Sequence, residues 1–224
     1  MMDYLLYQMR LCYLNFINYS YLIVNKKCKS AVIIDPAWEY QTVKQLIAET
    51  GAELKAVLLT HSHFDHVNLA GKLVDEFKAH VYISGLEAEY YNFRCKNLHF
   101  LIDMEYIRLG DINITCILTP GHTLGSICYY MDDCLFTGDT VFIEGCGICS
   151  LNGSNPVDMY KSIQRIKRMV NNKTRIFPGH SFGESPGKTI DYVSEKNIYF
   201  QIDEIKHFVE FRMRQNQRDL LKFY

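Results

Sequence analysis

The chain lacks an excess of charge of either sign. Its 24 lysines and arginines nearly balance 25 aspartates and glutamates, for a formal net charge of −1. A global basic field that would gather nucleic acid or an anionic membrane surface is therefore absent. No apolar run approaches the roughly 18 residues of a membrane span. The N-terminal stretch Met1 to Arg10 does not read as an export signal, because Asp3 spoils a basic start and Gln8 and Arg10 interrupt the apolar run. The expectation is a cytoplasmic protein with neither nucleic acid nor membrane among its partners. Internal repeats, low-complexity tracts and linkers are also missing. The sequence thus reads as one domain, 1–224, large enough for a substantial core.

Eight cysteines are present. Without an export signal they are expected to be reduced. Cys116, Cys128 and Cys134 fall in apolar strand-like segments and read as small core residues. Cys146-Gly147-Ile148-Cys149 has the spacing of a redox motif but not its strand-then-helix context. No second Cys-x-x-Cys completes a zinc knuckle.

The most informative stretch is Thr60-His61-Ser62-His63-Phe64-Asp65-His66, which follows the apolar Ala56–Leu59 and precedes a helical pattern. In extended backbone, residues two apart project to the same side, so His61 and His63 can share one ion. Asp65 and His66, where the chain turns into a helix, can face a second. Imidazole and carboxylate donors suit zinc, and also iron or manganese. Three later loops each follow a strand-like segment and set a donor beside glycine or proline: Pro120-Gly121-His122, Gly138-Asp139 and Pro178-Gly179-His180. Such residues give the sharp turns and close backbone approach that a metal rim needs.

Strands are expected over 21–24, 31–34, 56–59, 80–83, 106–109, 112–118, 126–130, 134–136 and 175–177, with a tight hairpin at Asp132-Asp133. Helical periodicity covers 39–50, 67–77, 157–170 behind an Asn155-Pro156 start signal, and about 200–221. Strands and helices mix without strict βαβ alternation. That argues for an α+β protein with two sheets packed together and covered by helices.

The ordered set His-x-His-x-Asp-His, Pro-Gly-His-Thr, Gly-Asp-Thr and Pro-Gly-His resembles the metallo-β-lactamase superfamily from about Tyr21 to His180. The resemblance implies an αβ/βα four-layer sandwich, two mixed sheets face to face with helices outside, and a dinuclear site. It would give His61, His63 and His122 to one metal and Asp65, His66 and His180 to another, with Asp139 bridging. Asp35, in Ile34-Asp35-Pro36, would support the metal loops from behind. The implied cofactor is two Zn²⁺ per chain, with Fe or Mn as alternatives.

Class B β-lactamases are exported and often use a cysteine ligand; neither feature is found here, which argues against a β-lactam substrate. Phe142 to Gly147 resembles the Gly-Cys-Gly loop of glyoxalase II, but Ile148 and Ser150 stand where that loop carries basic and aromatic groups. Leu14–Tyr21, Gly179–Ser185, Asn197–Phe200 and Phe211–Arg214 resemble the polyketide-biosynthesis zinc-dependent hydrolases of the PksB/BaeB type, nearly end to end. This likeness implies a thioesterase that proofreads antibiotic-type polyketide assembly. It would cleave acyl groups stalled on the acyl carrier proteins of a trans-acyltransferase polyketide synthase. A hydroxide bridging the two metals would attack the carbonyl, aimed by Asp65.

A glyoxalase II-like hydrolysis of glutathione or other small-molecule thioesters is the alternative. A mono-iron persulfide dioxygenase would leave His66 and His180 spare, and a non-catalytic metal-binding module would be expected to have lost a ligand. Carrier proteins are acidic, so a basic patch is expected to meet them. Arg212, Arg214 and Arg218, in a C-terminal helical segment of about 187–221 packed near the site, are preferred over Lys161, Arg165, Lys167 and Arg168. Tyr90, Tyr91 and Tyr106 are candidates for an acyl pocket.

Overall fold

Alternation with period two builds the layers. In strand β2 (Phe16–Asn25), Tyr21 and Ile23 enter one apolar cluster while Leu22 and Val24 enter another. The structure, a computed structural model, describes residues 3–215. Its first sheet runs in spatial order through β1 (Tyr4–Tyr13), β2, β3 (Ser30–Ile34), β4 (Glu53–Leu58), β5 (His80–Ser84) and β6 (Leu98–Leu101). The second contains β7 (Tyr106–Leu109), β8 (Ile112–Leu118), β9 (Ile127–Met131), β10 (Cys134–Gly138), β11 (Arg175–Pro178) and β12 (Lys188–Thr189), in the spatial order β12-β11-β10-β9-β8-β7. Both sheets are mixed. β3, β4, β5 and β6 pair in parallel, as do β10 and β11, and the other pairs are antiparallel.

The inner faces meet in a core that includes Tyr21, Ile23, Ile34, Leu58, Ile114, Tyr129 and Phe136. Helices α1 (Tyr40–Thr50) and α3 (Ala70–Phe77) cover the outer face of the first sheet through Val43, Ile47, Leu73 and Val74. Helix α5 (Pro156–Met169) covers the second through Met159, Ile163 and Ile166, joined by α6 (Ile190–Lys196), α7 (Ile198–Gln201) and α8 (Ile205–Arg212). This is the four-layer α+β sandwich.

Several elements differ from the periodicity reading. The helix expected over 67–77 is broken into α2 (Phe64–Val67) and α3. Asn68 occupies the break, donating from Nδ2 to the Phe64 carbonyl at 2.8 Å and accepting the Trp38 N–H at 2.8 Å. β1 was not expected. Along it, Met9 and Leu11 are buried while Gln8 and Arg10 face water, as an edge strand allows. The short helix α4 (Gly85–Tyr90) was also unexpected; Ser84 caps it by accepting the Glu87 N–H. The long C-terminal helix is in fact the pair α7 and α8, and its remainder beyond 215 lies outside the described residues. The Asp132-Asp133 hairpin forms as expected, with Met131 opposite Cys134 and a left-handed φ of 49° at Asp132. No helix among the described residues is long and apolar enough to cross a membrane.

Candidate metal centre

Every expected donor sits just past the C-terminal end of a strand: His61 to His66 after β4, His122 after β8, Asp139 after β10 and His180 after β11; the supporting Asp35 does so after β3. Two tyrosines from opposite sheets pin these loops. Tyr21 Oη donates to the Pro178 carbonyl at 2.6 Å, two residues before His180. Tyr129 Oη donates to the Leu59 carbonyl at 3.0 Å, two residues before His61. Glycine is required where loops crowd: a Cβ on Gly179 would lie 2.5 Å from His66 Cε1 and 2.8 Å from Asp139 Oδ1.

The donors converge in two groups. One ligating atom each from His61, His63 and His122 lies within 4.8 Å of the others, and the same holds for Asp65, His66 and His180. Asp139 spans them: Oδ2 lies 3.5 Å from His122 Nε2 and 3.6 Å from His180 Nε2, while Oδ1 is 3.5 Å from His66 Nε2. His63 Nδ1 is 3.0 Å from His122 Nε2, and His66 Nε2 is 3.3 Å from His180 Nε2.

Outer hydrogen bonds fix which nitrogen faces inward in four of the rings, His61, His66, His122 and His180. His122 Nδ1 sits 2.9 Å from the Ile148 carbonyl and His180 Nδ1 2.7 Å from the Ile17 carbonyl, so each donates outward and keeps Nε2 for the centre. Asp35 anchors two rings. Its Oδ2 is 3.0 Å from His66 Nδ1 and accepts from Thr60 Oγ1 at 2.6 Å, and Thr60 Oγ1 is 3.0 Å from His61 Nδ1.

The residues fit a cation. His61 Nε2 and Asp139 Oδ1 are buried and have no hydrogen-bond partner, a costly arrangement unless a metal takes their lone pairs. Burial, then the neighbouring rings, holds His61 well below the usual imidazole range. Burial likewise brings His63 down to about 4 and lowers His122. The first group is therefore neutral, as metal ligation demands. In the second group burial opposes ionisation but is outweighed. Asp65, Asp139 and Asp35 lift His66 to about 10, while His66 and His180 hold the Asp65 carboxyl well below its usual range. Ligation through Nε2 would require His66 to be neutral there, with its Nδ1–H still held by Asp35.

A cavity of about 320 Å³ opens over the cluster, lined by His63, Asp65, His122, Asp139 and His180 below and by Phe16, Phe64, Phe142, Ile148, Leu151 and Phe182 around.

The pattern of the metallo-beta-lactamase superfamily matches residues 15–99 and 108–180, most of the chain and every donor. The chain belongs to the metallo-β-lactamase superfamily. Among its superfamily relatives is the "probable polyketide biosynthesis zinc-dependent hydrolase PksB" of Bacillus subtilis (strain 168), 48% identical over 222 residues and covering 99% of both chains. The cytoplasmic isozyme of hydroxyacylglutathione hydrolase from Saccharomyces cerevisiae is 31% identical over 200 residues, covering 85% of this chain and 71% of the relative. The crystal structure of a metallo-beta-lactamase from Staphylococcus aureus superposes with a TM-score of 0.86 at 26% identity, over 96% of this chain and 68% of that one.

Other expected residues are placed differently within this superfamily member. Arg212 is not part of an open surface. It is 5% exposed, lines the cavity and donates to Tyr199 Oη at 2.8 Å, because α8 turns it inward beneath the Cys146 loop. Arg214 is exposed, its guanidinium 3.9 Å from the centre of the Phe211 ring. Arg218 lies outside the described residues. Of the other basic cluster, Arg165 is paired with Asp103 at 2.8 Å and Lys161 with Asp158 at 3.4 Å. Tyr90, Tyr91 and Tyr106 do not line the cavity; Tyr91 Oη instead donates to the Asn152 carbonyl at 2.7 Å. Cys146 and Cys149 are both free, and burial pushes their thiols up, Cys149 to about 11.

The sequence reading missed Glu87, which is fully buried. Its Oε1 accepts from Ser62 N at 2.8 Å and Ser62 Oγ at 2.7 Å, and its Oε2 accepts from Gly125 N at 3.0 Å. It ties the His61–His63 loop to the His122 loop. The signal available was Ser84-x-x-Glu87, a capping-box spacing, although here the carboxylate turns away from the helix start.

Proposed function

We propose that this chain, a zinc-dependent hydrolase by its kinship, cleaves acyl thioesters and acts on acyl groups carried by acyl carrier proteins during polyketide assembly. One observation carries the reading: the set of seven donors is intact, five of them, His63, Asp65, His122, Asp139 and His180, line an apolar cavity, and among the described residues no serine lines it and its one thiol, Cys146, is kept protonated by burial. His61, His63 and His122 would hold one metal ion, Asp65, His66 and His180 a second, and Asp139 would serve both. When bound, the metal supplies Lewis acidity toward the thioester carbonyl and makes water a nucleophile near neutral pH.

The chain's own residues do the rest. Asp65 lies in the cavity wall, oriented by Asn18 Nδ2, which donates to its Oδ2 at 3.0 Å; the ionised carboxylate can accept a hydrogen bond from the attacking water and aim it. Phe142, Ile148, Leu151 and Phe182 keep bulk water from the acyl group. The protonated Cys146 thiol takes no part, and the substrate's own thiolate is a good enough leaving group to need little help.

A glutathione thioester is the second reading. Arg212 favours it, since it sets a cation in the cavity wall that could meet a substrate carboxylate. Turnover of one acyl group on a carrier protein, on pantetheine and on glutathione, measured side by side, decides between them. The expected order of kcat/KM is carrier protein, then pantetheine, then glutathione. Equal or faster use of acyl-glutathione overturns the carrier-protein reading. Asp139→Ala should lose bound metal by elemental analysis together with activity; a fully metallated, active variant would sink the shared-ligand assignment.

A further inference from the structure

Phe16 and Phe64 belong both to the cavity wall and to an aromatic group outside it. Trp38 is the centre of that group, with ring centroids 5.1 Å from Tyr13, 5.7 Å from Phe16 and 5.7 Å from Phe64. The surface is open to water: Phe64 is 71% exposed, Tyr13 54%, and Leu14, at the tip of the β1–β2 hairpin, 82%. Contiguous exposed apolar side chains of this kind are a feature of binding surfaces. The indole N–H is turned away, which leaves the Tyr13 hydroxyl at the outer edge as the other polar group. Trp38 Nε1 donates inward to Asn18 Oδ1 at 2.7 Å, and the same Asn18 holds Asp65. The rings therefore offer carbon faces outward, and Phe64 stands in the chain directly between the donors His63 and Asp65. The apolar path starts at the metal centre and leaves the cavity along the hairpin.

We propose that this platform is an acyl-chain subsite, which takes the long apolar tail of a thioester whose carbonyl lies over the donor cluster. The proposal rests on the thioesterase reading above. A cavity of about 320 Å³ is at the small end of ligand pockets. It cannot enclose both a long acyl chain and a pantetheine arm, so the tail must leave along the wall. The Phe16–Phe64–Trp38–Tyr13 surface is an apolar exit that begins in that wall and continues beyond it through stacked rings, whereas Leu151 and Phe182, 46% and 38% exposed, end at the cavity rim. A second copy of the chain would have no reason to follow a path that starts at the catalytic floor.

Trp38 is the sole tryptophan, so its emission reports on the platform directly. Metal-loaded protein would be titrated with non-hydrolysable S-alkyl pantetheine thioethers of increasing chain length, and kcat/KM measured for acetyl- to decanoyl-pantetheine. Long chains should shift Trp38 emission to the blue, and both affinity and kcat/KM should rise about twofold per added methylene while one face of the chain is covered. Tyr13→Ser with Leu14→Asn, two exposed positions outside the cavity, should flatten both series and leave acetyl-pantetheine turnover within about twofold. Asparagine suits the left-handed φ of 53° at Leu14.

A flat chain-length series in the unaltered protein, with turnover intact, overturns the subsite and leaves the thioesterase reading standing. A flat series joined to a dimer that the double variant dissociates assigns the patch to a second copy and also overturns it. Failure to turn over any thioester removes the thioesterase reading, and the acyl assignment falls with it.

Discussion

Asp35 Oδ2, just past β3, stands 3.0 Å from His66 Nδ1 in α2, and both side chains are buried. The same carboxylate accepts from Thr60 N at 2.8 Å through Oδ1 and from Thr60 Oγ1 through Oδ2. It therefore orients His66 directly and His61 through Thr60. Asp35 adopts a left-handed φ of 46°, which asparagine tolerates better than most residues. Asp35→Asn should keep the fold and weaken metal affinity about 10–100-fold. Competition with a chromophoric chelator measures this, and unchanged affinity would show that the carboxylate serves only the backbone.

Glu87 should matter more for stability than any surface charge. Glu87→Ala leaves the buried Gly125 N and the part-buried Ser62 N without their acceptor, at a cost of about 1–3 kcal/mol. Thermal unfolding should show the loss. Metal retention should fall as well, because the carboxylate links the loops that carry His61, His63 and His122. A variant with normal Tm but weak metal binding would assign Glu87 to loop geometry alone.

Arg212 and Arg214 should part company. Arg212 lines the cavity and holds Tyr199, so Arg212→Met should lower kcat/KM alike for carrier-bound and short pantetheine thioesters, and cost about 1–3 kcal/mol of stability. Arg214 is exposed. Arg214→Glu should raise KM for acyl-carrier-protein substrates only and weaken its salt dependence. An equal loss on both substrates for Arg214→Glu would rule out docking there.

The cysteines should sort by burial. A thiol reacts as its thiolate, which forms above its pKa; with Cys149 at about 11, only about one molecule in a thousand is ionised there at pH 8. Cys116, Cys128, Cys134 and Cys146 are buried and raised in the same sense. Brief iodoacetamide treatment followed by peptide mass spectrometry should find the exposed Cys28 alkylated first and these five only after unfolding. Fast labelling of Cys146 with loss of activity would instead make it a reactive thiol at the site.

The sequence by itself determined the candidate donors and the strands that deliver them. Each of His61, His63, Asp65, His66, His122, Asp139 and His180 sits in a short contiguous motif whose turn chemistry is local, and strand alternation is a property of neighbouring residues. Only the tertiary structure decided the rest. Glu87 acts on Ser62 and Gly125, Tyr21 on Pro178 and Tyr129 on Leu59, all partners far along the chain that meet only once the sheets have packed. The β1 edge strand was hidden because a strand with one wet face carries too little apolar signal. Arg212 read as a surface cation because its periodicity places it on a helix but cannot show that the Cys146 loop covers that face. The aromatic exit at Trp38 likewise joins a hairpin, a loop after β3 and the start of α2. Local pattern fixes which residues can bind metal; the packing of two sheets fixes what surrounds them.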